Sequence, residues 1–326
     1  MSSLQRRPRR LRANQAIRDL VAETDLNLQD LIVPFFVKED ATGAIEIPSL
    51  PGIYQHSIES FQKEAERLFG LGVKAFMIFG VSIDKDPLGT QGYASDGITQ
   101  RAISALKGHL GSEAIVMADL CLDEYTDHGH CGILNSRGVV DNDATVELYC
   151  EMALAQARAG VDLVAPSGMM DGQVGAIRSS LDHEGFIDVG ILAYSAKYAS
   201  AFYGPFRDAV GVTIANGGDR KSYQQDFRNS REAILEVELD IAEGADIVMV
   251  KPAGSYLDII ATIKPRISIP LAAYQVSGEY AMVKAGAKAG YVDGTAVALE
   301  QLTAIKRAGA DLILSYFVHE LAELIS

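Results

Sequence analysis

The sequence predicts an α/β fold in which eight parallel strands, each followed by a helix, close into a barrel. One observation is a repeated unit, in which a helix ends at a glycine and a short apolar run follows, at Gly72, Gly160, Gly244 and Gly309. Such a glycine is typical of a left-handed helix end, and an unbroken apolar run is typical of a parallel strand covered on both faces. The other observation is the number of such runs, which is eight in 326 residues. Eight βα units close into a barrel, and an open doubly wound sheet is the alternative.

The eight strands are predicted in chain order from the apolar runs. Before the second strand, apolar residues spaced by three and four from Phe61 predict one helix face, and the same spacing from Val146 precedes the fourth strand. Asn229 followed by Glu232 predicts a capping box at the start of the helix before the sixth strand. The predicted strands are Leu31–Val37, Ala75–Phe79, Ala114–Cys121, Leu163–Ala165, Val189–Tyr194, Ile247–Val250, Leu271–Val276 and Leu312–Phe317.

Two segments extend beyond a simple barrel. Residues 1–27 are rich in arginine and precede the first strand, so they are predicted to form an arm that contacts a neighbouring subunit; a solvated tail is the alternative. The polar stretch from Phe202 to Ser230, after strand five, is long and rich in Gly and Asn, which predicts an active-site lid. Residues 28–326 are then a single catalytic barrel.

Composition and net charge limit the binding partners and the cellular compartment that we expect. The net charge of −14 argues against nucleic acid or an anionic membrane as the main partner. No apolar run approaches the roughly 18 residues of a membrane span, and the arginine-rich N-terminus lacks the apolar segment of a secretory signal. Three cysteines do not make a disulfide framework in a chain of this length, so the reducing cytoplasm is the expected location.

Two strand-like runs, "GILAYSAKYAS" and "GADIVMVKPAG", each end in a lysine, Lys197 and Lys251. Because strands five and six are neighbours in a barrel, we expect the two amines to lie close together. Burial and a second ammonium both lower a lysine pKa from its ordinary value of about 10.4. A neutral amine in a dry pocket is the usual nucleophile for Schiff-base formation with a carbonyl. The alternative is a pair of ion-paired or snorkelling lysines without a catalytic role.

Charged and hydroxyl side chains near other strand ends indicate an anionic substrate. Arg207, Arg220 and Lys221 place three cations in the predicted lid, and such groups suit carboxylates. Ser277 and Tyr316 lie at the ends of strands seven and eight and offer hydroxyl donors for a second carboxylate. A structural hydrogen bond is the alternative role of each hydroxyl.

The stretch "CLDEYTDHGHC" offers a candidate metal site at Cys121, Asp123 and Cys131. Two thiolates favour zinc, whereas the carboxylate makes the site less selective. A loop without metal is the alternative.

At this point the sequence resembles the porphobilinogen synthase family, also called δ-aminolevulinic acid dehydratase. The resemblance covers nearly the whole chain and rests on long motifs: "RPRRLR", "YSAKYASAFYGPFRDA", "GDRKSYQ", "MVKPAGSYLDI", "YQVSGEYAM" and "IKRAGADLILSYF". It implies a lyase that condenses two molecules of 5-aminolevulinate, with loss of two waters, to porphobilinogen for tetrapyrrole (heme or chlorophyll) synthesis. It also implies a (β/α)₈ barrel whose arm wraps a partner subunit in an octamer.

The resemblance assigns the lysines to the two substrate molecules. Lys251 would form the Schiff base with the P-side molecule, which becomes the propionate arm of the product. Lys197 would bind the A-side molecule or assist as a second Schiff base.

The resemblance also assigns the carboxylates and one metal. Ser277 and Tyr316 would hold the P-side carboxylate, and Arg207 and Lys221 the A-side one. Glu236 matches an allosteric magnesium position at a subunit interface.

The metal residues depart from the family pattern. Zinc-type members have three cysteines at the positions of Cys121, Asp123 and Cys131, so the middle thiol is replaced here by a carboxylate. Tight catalytic zinc is therefore not expected, and Asp119, Asp123 and Lys197 are predicted to activate the A-side substrate instead.

Gly168 is a second departure, because it replaces an aspartate common in the family.

Two other functions are weighed against the synthase. A class I aldolase also uses a barrel lysine but needs only one, and a non-catalytic barrel would bind a carboxylate metabolite without turning it over.

Overall fold

The computed structural model describes residues 6–214 and 218–325. The strands are β1 (Leu31–Lys38), β2 (Ala44–Glu46), β3 (Tyr54–His56), β4 (Ala75–Val81), β5 (Ile115–Leu120), β6 (Leu163–Pro166), β7 (Gly190–Lys197), β8 (Ile247–Lys251), β9 (Leu271–Gln275) and β10 (Leu312–Ser315). The helices are α1 (Gln15–Leu20), α2 (Ile58–Gly70), α3 (Ile98–Leu110), α4 (Asn142–Ala159), α5 (Gln173–His183), α6 (Gly204–Ala209), α7 (Arg231–Glu243), α8 (Leu257–Ile263), α9 (Ser277–Lys288), α10 (Gly294–Ala308) and α11 (Val318–Ile325).

Eight of these strands form one closed parallel barrel. Going round the barrel, the order is β1, β4, β5, β6, β7, β8, β9 and β10. The first and last strands close it, because Leu31 pairs with Ile313 and Ile32 with Leu314, both in parallel register. The predicted (β/α)₈ fold is therefore confirmed, and the open doubly wound alternative is wrong.

The eight predicted strands are all present, with ends that differ by up to three residues. The repeated glycines have the conformation that the pattern predicts, with φ of 108° at Gly72, 97° at Gly160, 105° at Gly244 and 121° at Gly309. An L side chain is strained at such angles, so glycine allows each helix to stop abruptly and the chain to turn into the next strand.

The barrel interior is apolar and continuous. Seven of the eight residues of β1 are buried, as is every residue of β4. Both faces of such strands are covered, which explains why their sequences do not alternate between polar and apolar residues. On the inner face the ring of Phe36 lies 5.6 Å from that of Phe79, and on the outer face Phe35 packs edge-on against Phe61 of α2 at 4.9 Å between ring centroids.

The hairpin of β2 and β3 was not predicted from the sequence. Each of its strands has only three residues, and all three residues of β2 are exposed. The hairpin joins the sheet through β3, which pairs in parallel with the end of β1 at Phe36 and Val37. Strands this short give no apolar run, so the sequence carries no clear signal for them.

The predicted capping box at Asn229 is wrong. Helix α7 starts after Ser230, and the Nδ2 of Asn229 donates to Oε2 of Glu232 at 2.9 Å. The two side chains therefore bind each other, rather than the free backbone amides of the first turn.

The predicted arm begins outside the described residues, which start at Arg6. From there it forms a short 3₁₀ turn at Pro8–Arg12 and helix α1, and neither contains a buried residue. Apolar side chains in this segment stay exposed, with Leu20 at 83%. Its role in subunit contacts stays a prediction. Among the described residues, no helix is both long and apolar enough to cross a membrane.

Candidate active site

Lys197 and Lys251 are the last residues of neighbouring strands β7 and β8, and they are direct partners in the parallel register. Both lysines are buried, with only 4% and 6% of their surface exposed. The sequence predicts this proximity from strand order alone. Two buried amines side by side cannot both be charged without a large cost, so their surroundings decide which one carries a proton.

Lys251 lies among aromatic rings. Its Nζ is 4.5 Å from the ring centroid of Tyr274, 5.0 Å from Tyr194, 5.2 Å from Tyr203 and 5.3 Å from Phe206. Burial, and then the charge of Lys197, lower the pKa of Lys251 to about 7. About half of these amines are therefore neutral at pH 7, so Lys251 is the better nucleophile of the two.

Lys197 lies among acceptors instead. Its Nζ donates to the carbonyl oxygen of Ser167 at 2.5 Å. Burial lowers its pKa, but the interactions with Cys131, Cys121, Asp119 and Asp123 outweigh burial and raise the pKa above its ordinary value. Lys197 therefore keeps its proton and acts as a fixed positive charge beside Lys251.

Asp119, near the end of β5, lies between these groups. Burial raises the pKa of its carboxyl to about 6, against the opposing charges of Lys197 and Lys251. The hydroxyl of Ser167 donates to Oδ2 at 3.1 Å, while Oδ1 is buried without a hydrogen-bond partner among the described residues. A carboxyl group with this pKa can give or take a proton near neutral pH.

Arg220 of the predicted lid reaches into the site and pairs with Asp123. Its Nη2 lies 2.7 Å from Oδ2 of Asp123 and donates to the carbonyl of Gly129 at 2.8 Å. Although burial opposes it, the charges of Arg220 and Lys197 hold the pKa of Asp123 well below its usual range. Asp123 is therefore an ionised carboxylate whose charge a guanidinium already balances.

The predicted metal residues do come together. Donor atoms of Cys121, Asp123 and Cys131 lie within 4.8 Å of one another and are buried, and both thiols are free. Burial raises the pKa of the Cys121 thiol. Burial also acts to raise the pKa of Cys131, but the hydrogen bond with the Cys121 thiol and the charge of Arg220 lower it.

Glu124 is a site residue that sequence analysis missed. Its carboxyl forms a second group with Asp119 and Cys121, again within 4.8 Å. Burial, followed by the charges of Asp123 and Asp119, raises the pKa of Glu124, and its Oε1 has no hydrogen-bond partner among the described residues. The available signal was its place next to Asp123 in a stretch already rich in possible ligands.

These residues fit a divalent cation in number and reach. Two thiols and a carboxylate belong to zinc chemistry, and three protein ligands leave a position open. The electrostatic attraction for a cation is weaker, because Arg220, 2.7 Å from Oδ2 of Asp123, already balances the charge of that carboxylate. The site therefore suits a weakly held cation better than a tightly bound one.

The three lid cations singled out from the sequence line one cavity of about 810 Å³, together with a fourth lid cation, Arg228, and with Gln224 and Phe227. Within it Arg220 is buried, whereas the Lys221 side chain is 73% exposed and lies 3.3 Å from Asp219. Part of the predicted lid, residues 215–217, lies outside the described residues. The cavity is thus cationic, and it borders the surroundings of Lys251 through Tyr203, whose ring centroid lies 5.2 Å from the Lys251 Nζ.

Ser277 and Tyr316 are both buried near the strand ends, at 1% and 0% exposure. The Ser277 hydroxyl accepts from the backbone N–H of Phe206 at 3.0 Å, which ties the lid to the start of α9. The Tyr316 hydroxyl lies 2.8 Å from that of Tyr274, a β9 residue that sequence analysis missed. Each of these two hydroxyls therefore already has a hydrogen-bond partner within the protein.

Glu236, in the middle of α7, lies apart from the lysines. It lines a cavity of about 290 Å³ together with Asp171, Glu232 and Lys221. Burial, and then the charges of Asp240 and Asp171, raise its pKa to about 7. A cation placed among these carboxylates would relieve their repulsion, and oxygen ligands are those that Mg²⁺ prefers. Glu236 belongs to neither of the convergent donor groups found among the described residues.

Comparison with known proteins gives one consistent result. The sequence profile described as delta-aminolevulinic acid dehydratase matches residues 5–324. Relatives with that name are 53% identical in Streptomyces coelicolor, over 98% of this chain and 97% of the relative, and 49% identical in Escherichia coli, over 99% and 98%. A crystal structure of the Toxoplasma gondii dehydratase, in complex with the reaction product porphobilinogen, superposes with a TM-score of 0.96 at 46% identity. This superposition covers 99% of this chain and 92% of the Toxoplasma gondii chain.

Proposed function

Because the chain belongs to the delta-aminolevulinic acid dehydratase family and shares its porphobilinogen synthase activity, we propose that Lys251 is its Schiff-base nucleophile. This activity excludes the two alternatives, the class I aldolase and the non-catalytic barrel. The observation that supports the proposal is the burial of Lys251 among four aromatic rings and beside Lys197, surroundings that lower its pKa to about 7.

The chemistry joins two 5-aminolevulinate molecules by one C–N bond and one C–C bond. Both ketone oxygens leave as water, so that the atoms of two substrates equal those of porphobilinogen plus two waters. The neutral Lys251 amine attacks the ketone carbon of the P-side molecule, and its two protons leave with the ketone oxygen as water, which gives a C=N bond. Once protonated, the imine makes that carbon a better target for the amine of the second molecule, whose addition forms the C–N bond while the bond to Lys251 breaks and returns the free amine.

Lys197 and Asp119 supply charge and protons to the A-side molecule. The ammonium of Lys197 is held at the carbonyl of Ser167, where it can donate to a substrate oxygen or enter a second imine after losing its proton. Asp119, with a pKa of about 6, takes a proton from carbon or nitrogen and returns it to a departing oxygen. Asp123 remains ionised beside Arg220 and keeps Lys197 charged.

The substrate carboxylates are proposed to bind at opposite sides of this pair. Ser277 and Tyr316, which are neutral donors, hold the P-side carboxylate, and the cationic cavity with Arg207 and Lys221 holds the A-side one. Because the Ser277 hydroxyl donates to the carbonyl oxygen of Phe202 at 3.3 Å, binding of a carboxylate at Ser277 exchanges this lid contact for a substrate contact.

For metals, we propose that tightly bound zinc is not required. Zinc held by Cys121, Asp123 and Cys131 would act as a Lewis acid on a substrate oxygen. Arg220 already balances the charge of Asp123, which weakens this donor set. We propose Mg²⁺ at Glu236 as an allosteric activator, supported by the neighbouring carboxylates. A Glu236→Gln variant should lose stimulation by added Mg²⁺ while keeping its basal rate.

The assembly and the compartment are part of the same proposal. A basic arm on an acidic chain supports docking onto a second subunit, and we propose a homo-octamer in the cytoplasm. Deleting residues 1–12 should reduce the particle size in analytical ultracentrifugation, and an unchanged size would count against the arm.

Reduction with borohydride tests the central assignment. When the protein is mixed with 5-aminolevulinate and reduced, peptide mapping should find the label on Lys251 first. The control is Lys107→Met, which removes a lysine paired with Asp162 at 2.9 Å outside the site and should label normally. Porphobilinogen formation without any labelled lysine would contradict the proposal.

A further inference from the structure

Helix α4 presents a tyrosine hydroxyl to the active-site thiols. Tyr149 is completely buried, and its hydroxyl donates to the carbonyl oxygen of Cys131 at 2.6 Å. The hydroxyl oxygen of Tyr149 also lies 3.8 Å from Sγ of Cys121. One side chain therefore ties the two ends of the segment that follows β5 to a rigid helix, although Tyr149 has no role in the chemistry described above.

The space that Tyr149 occupies exists only because residue 168 is a glycine. A Cβ atom built on Gly168 would overlap the Tyr149 hydroxyl and would lie 2.6 Å from Cζ and 2.7 Å from Cε2, below the 3.0 Å that real Cβ atoms keep. The φ of Gly168 lies outside the left-handed region, so its backbone does not require glycine. The requirement comes from the ring alone.

Gly168 also follows the residue that holds the reactive groups. The carbonyl of Ser167 accepts from Lys197 at 2.5 Å, and its hydroxyl donates to Asp119 at 3.1 Å. A side chain at position 168 must therefore move either Tyr149 away from Cys131, or the Ser167 backbone away from Lys197 and Asp119. Packing this dense does not absorb such an overlap without a shift.

We infer that Tyr149 and Gly168 form a coupled pair that positions the A-side half of the active site. Tyr149 is a positioning residue: it acts through Cys131 on one side and through Ser167 on the other. The inference rests on the proposed roles of Lys197 and Asp119, since these are the groups that the pair holds in place.

A double-mutant cycle tests the coupling. Gly168→Ala should lower kcat at least about tenfold, because the added methyl group displaces Ser167 or Tyr149. Tyr149→Leu removes the ring atoms that cause the overlap, so adding Gly168→Ala to it should cost less than threefold more. Tyr149→Phe keeps the overlapping ring atoms and should not rescue Gly168→Ala. Equal losses from Gly168→Ala with and without Tyr149→Leu would overturn the inference.

A second comparison separates positioning from stability. Tyr149→Phe removes only the hydroxyl and should lower kcat about threefold to tenfold with little change in KM. The matched control is Tyr280→Phe, which removes a buried hydroxyl that donates to the carbonyl of Pro51 at 2.7 Å. It should lower the melting temperature by a similar amount without lowering kcat. If both variants lose the same fraction of kcat, Tyr149 is only structural.

Borohydride labelling of the parent protein distinguishes failure of the proposed function from failure of the coupled pair. If Lys251 is not labelled in the parent, the proposed function fails, whatever the cycle shows. If Lys251 is labelled but the cycle is additive, only the coupled pair fails.

Discussion

The ends of β7 and β8 carry the same residue at the same level of the barrel, yet the two lysines have opposite properties. Lys251 faces four aromatic rings and has a pKa of about 7, whereas Lys197 faces thiols and carboxylates and has a pKa above its ordinary value. The difference shows that residue type and strand position place an amine in the site, whereas the side chains around the amine set its pKa and therefore its charge. The rings come from β7, from β9 and from the start of the lid, at Tyr203 and Phe206, whereas the groups around Lys197 come from β5, from the loop that follows it and from Ser167 just after β6.

The largest expected effect comes from removing one amine and then the other. Lys251→Met should lower kcat by at least about 10⁴-fold, because no neutral nucleophile remains. Lys197→Met should cost less, about 10²- to 10³-fold, since it removes a charge and a proton donor. The rate of porphobilinogen formation, measured on folded protein, checks both values. Equal losses would remove the distinction between the two lysines.

The pH dependence of labelling sharpens the same comparison. Only the neutral amine attacks, so the rate at which borohydride traps Lys251 should fall about tenfold per pH unit below 7 and level off above it. Lys197→Met removes the positive charge that helps to lower the pKa of Lys251, so the midpoint should rise by about one unit. An unshifted midpoint would mean that burial alone sets this pKa.

A smaller effect is expected from the ion pair that neutralises Asp123. Arg220→Lys keeps the charge but loses the planar fork, and kcat/KM should fall about tenfold. Arg158→Lys is the control, because Arg158 also pairs with a carboxylate, that of Glu184, but lies outside the lid and has a side chain that is 59% exposed. Its kcat/KM should stay within about twofold of the parent. Equal losses in the two variants would assign Arg220 no special role.

The smallest effect is expected from metal removal. Dialysis against a chelator should change kcat less than about twofold when Mg²⁺ is restored, because Arg220 rather than zinc balances Asp123. Metal content measured on the dialysed, active protein is the matching observation. Complete loss of activity that zinc alone reverses would contradict the proposal.

The sequence predicted the barrel and the lysine pair because both follow from repetition and strand order. It did not distinguish Arg220 from Lys221, which are adjacent in sequence but differ in burial, since a loop conformation decides which one turns inward. It also singled out Gly168 without a reason. The reason is the ring of Tyr149, 19 positions away on a helix. Contacts between elements that are distant in the chain leave no pattern in a single sequence.

The seam between β1 and β10 has a consequence for synthesis of the chain. Its two sides, Leu31 and Ile313, are separated by almost the whole length of the polypeptide. During translation the first strand must therefore wait, with one edge unpaired on that side, until the last strand has left the ribosome. An exposed edge of an apolar strand is prone to aggregation. Nascent chains halted before residue 312 should for this reason depend on chaperones more than the finished protein does.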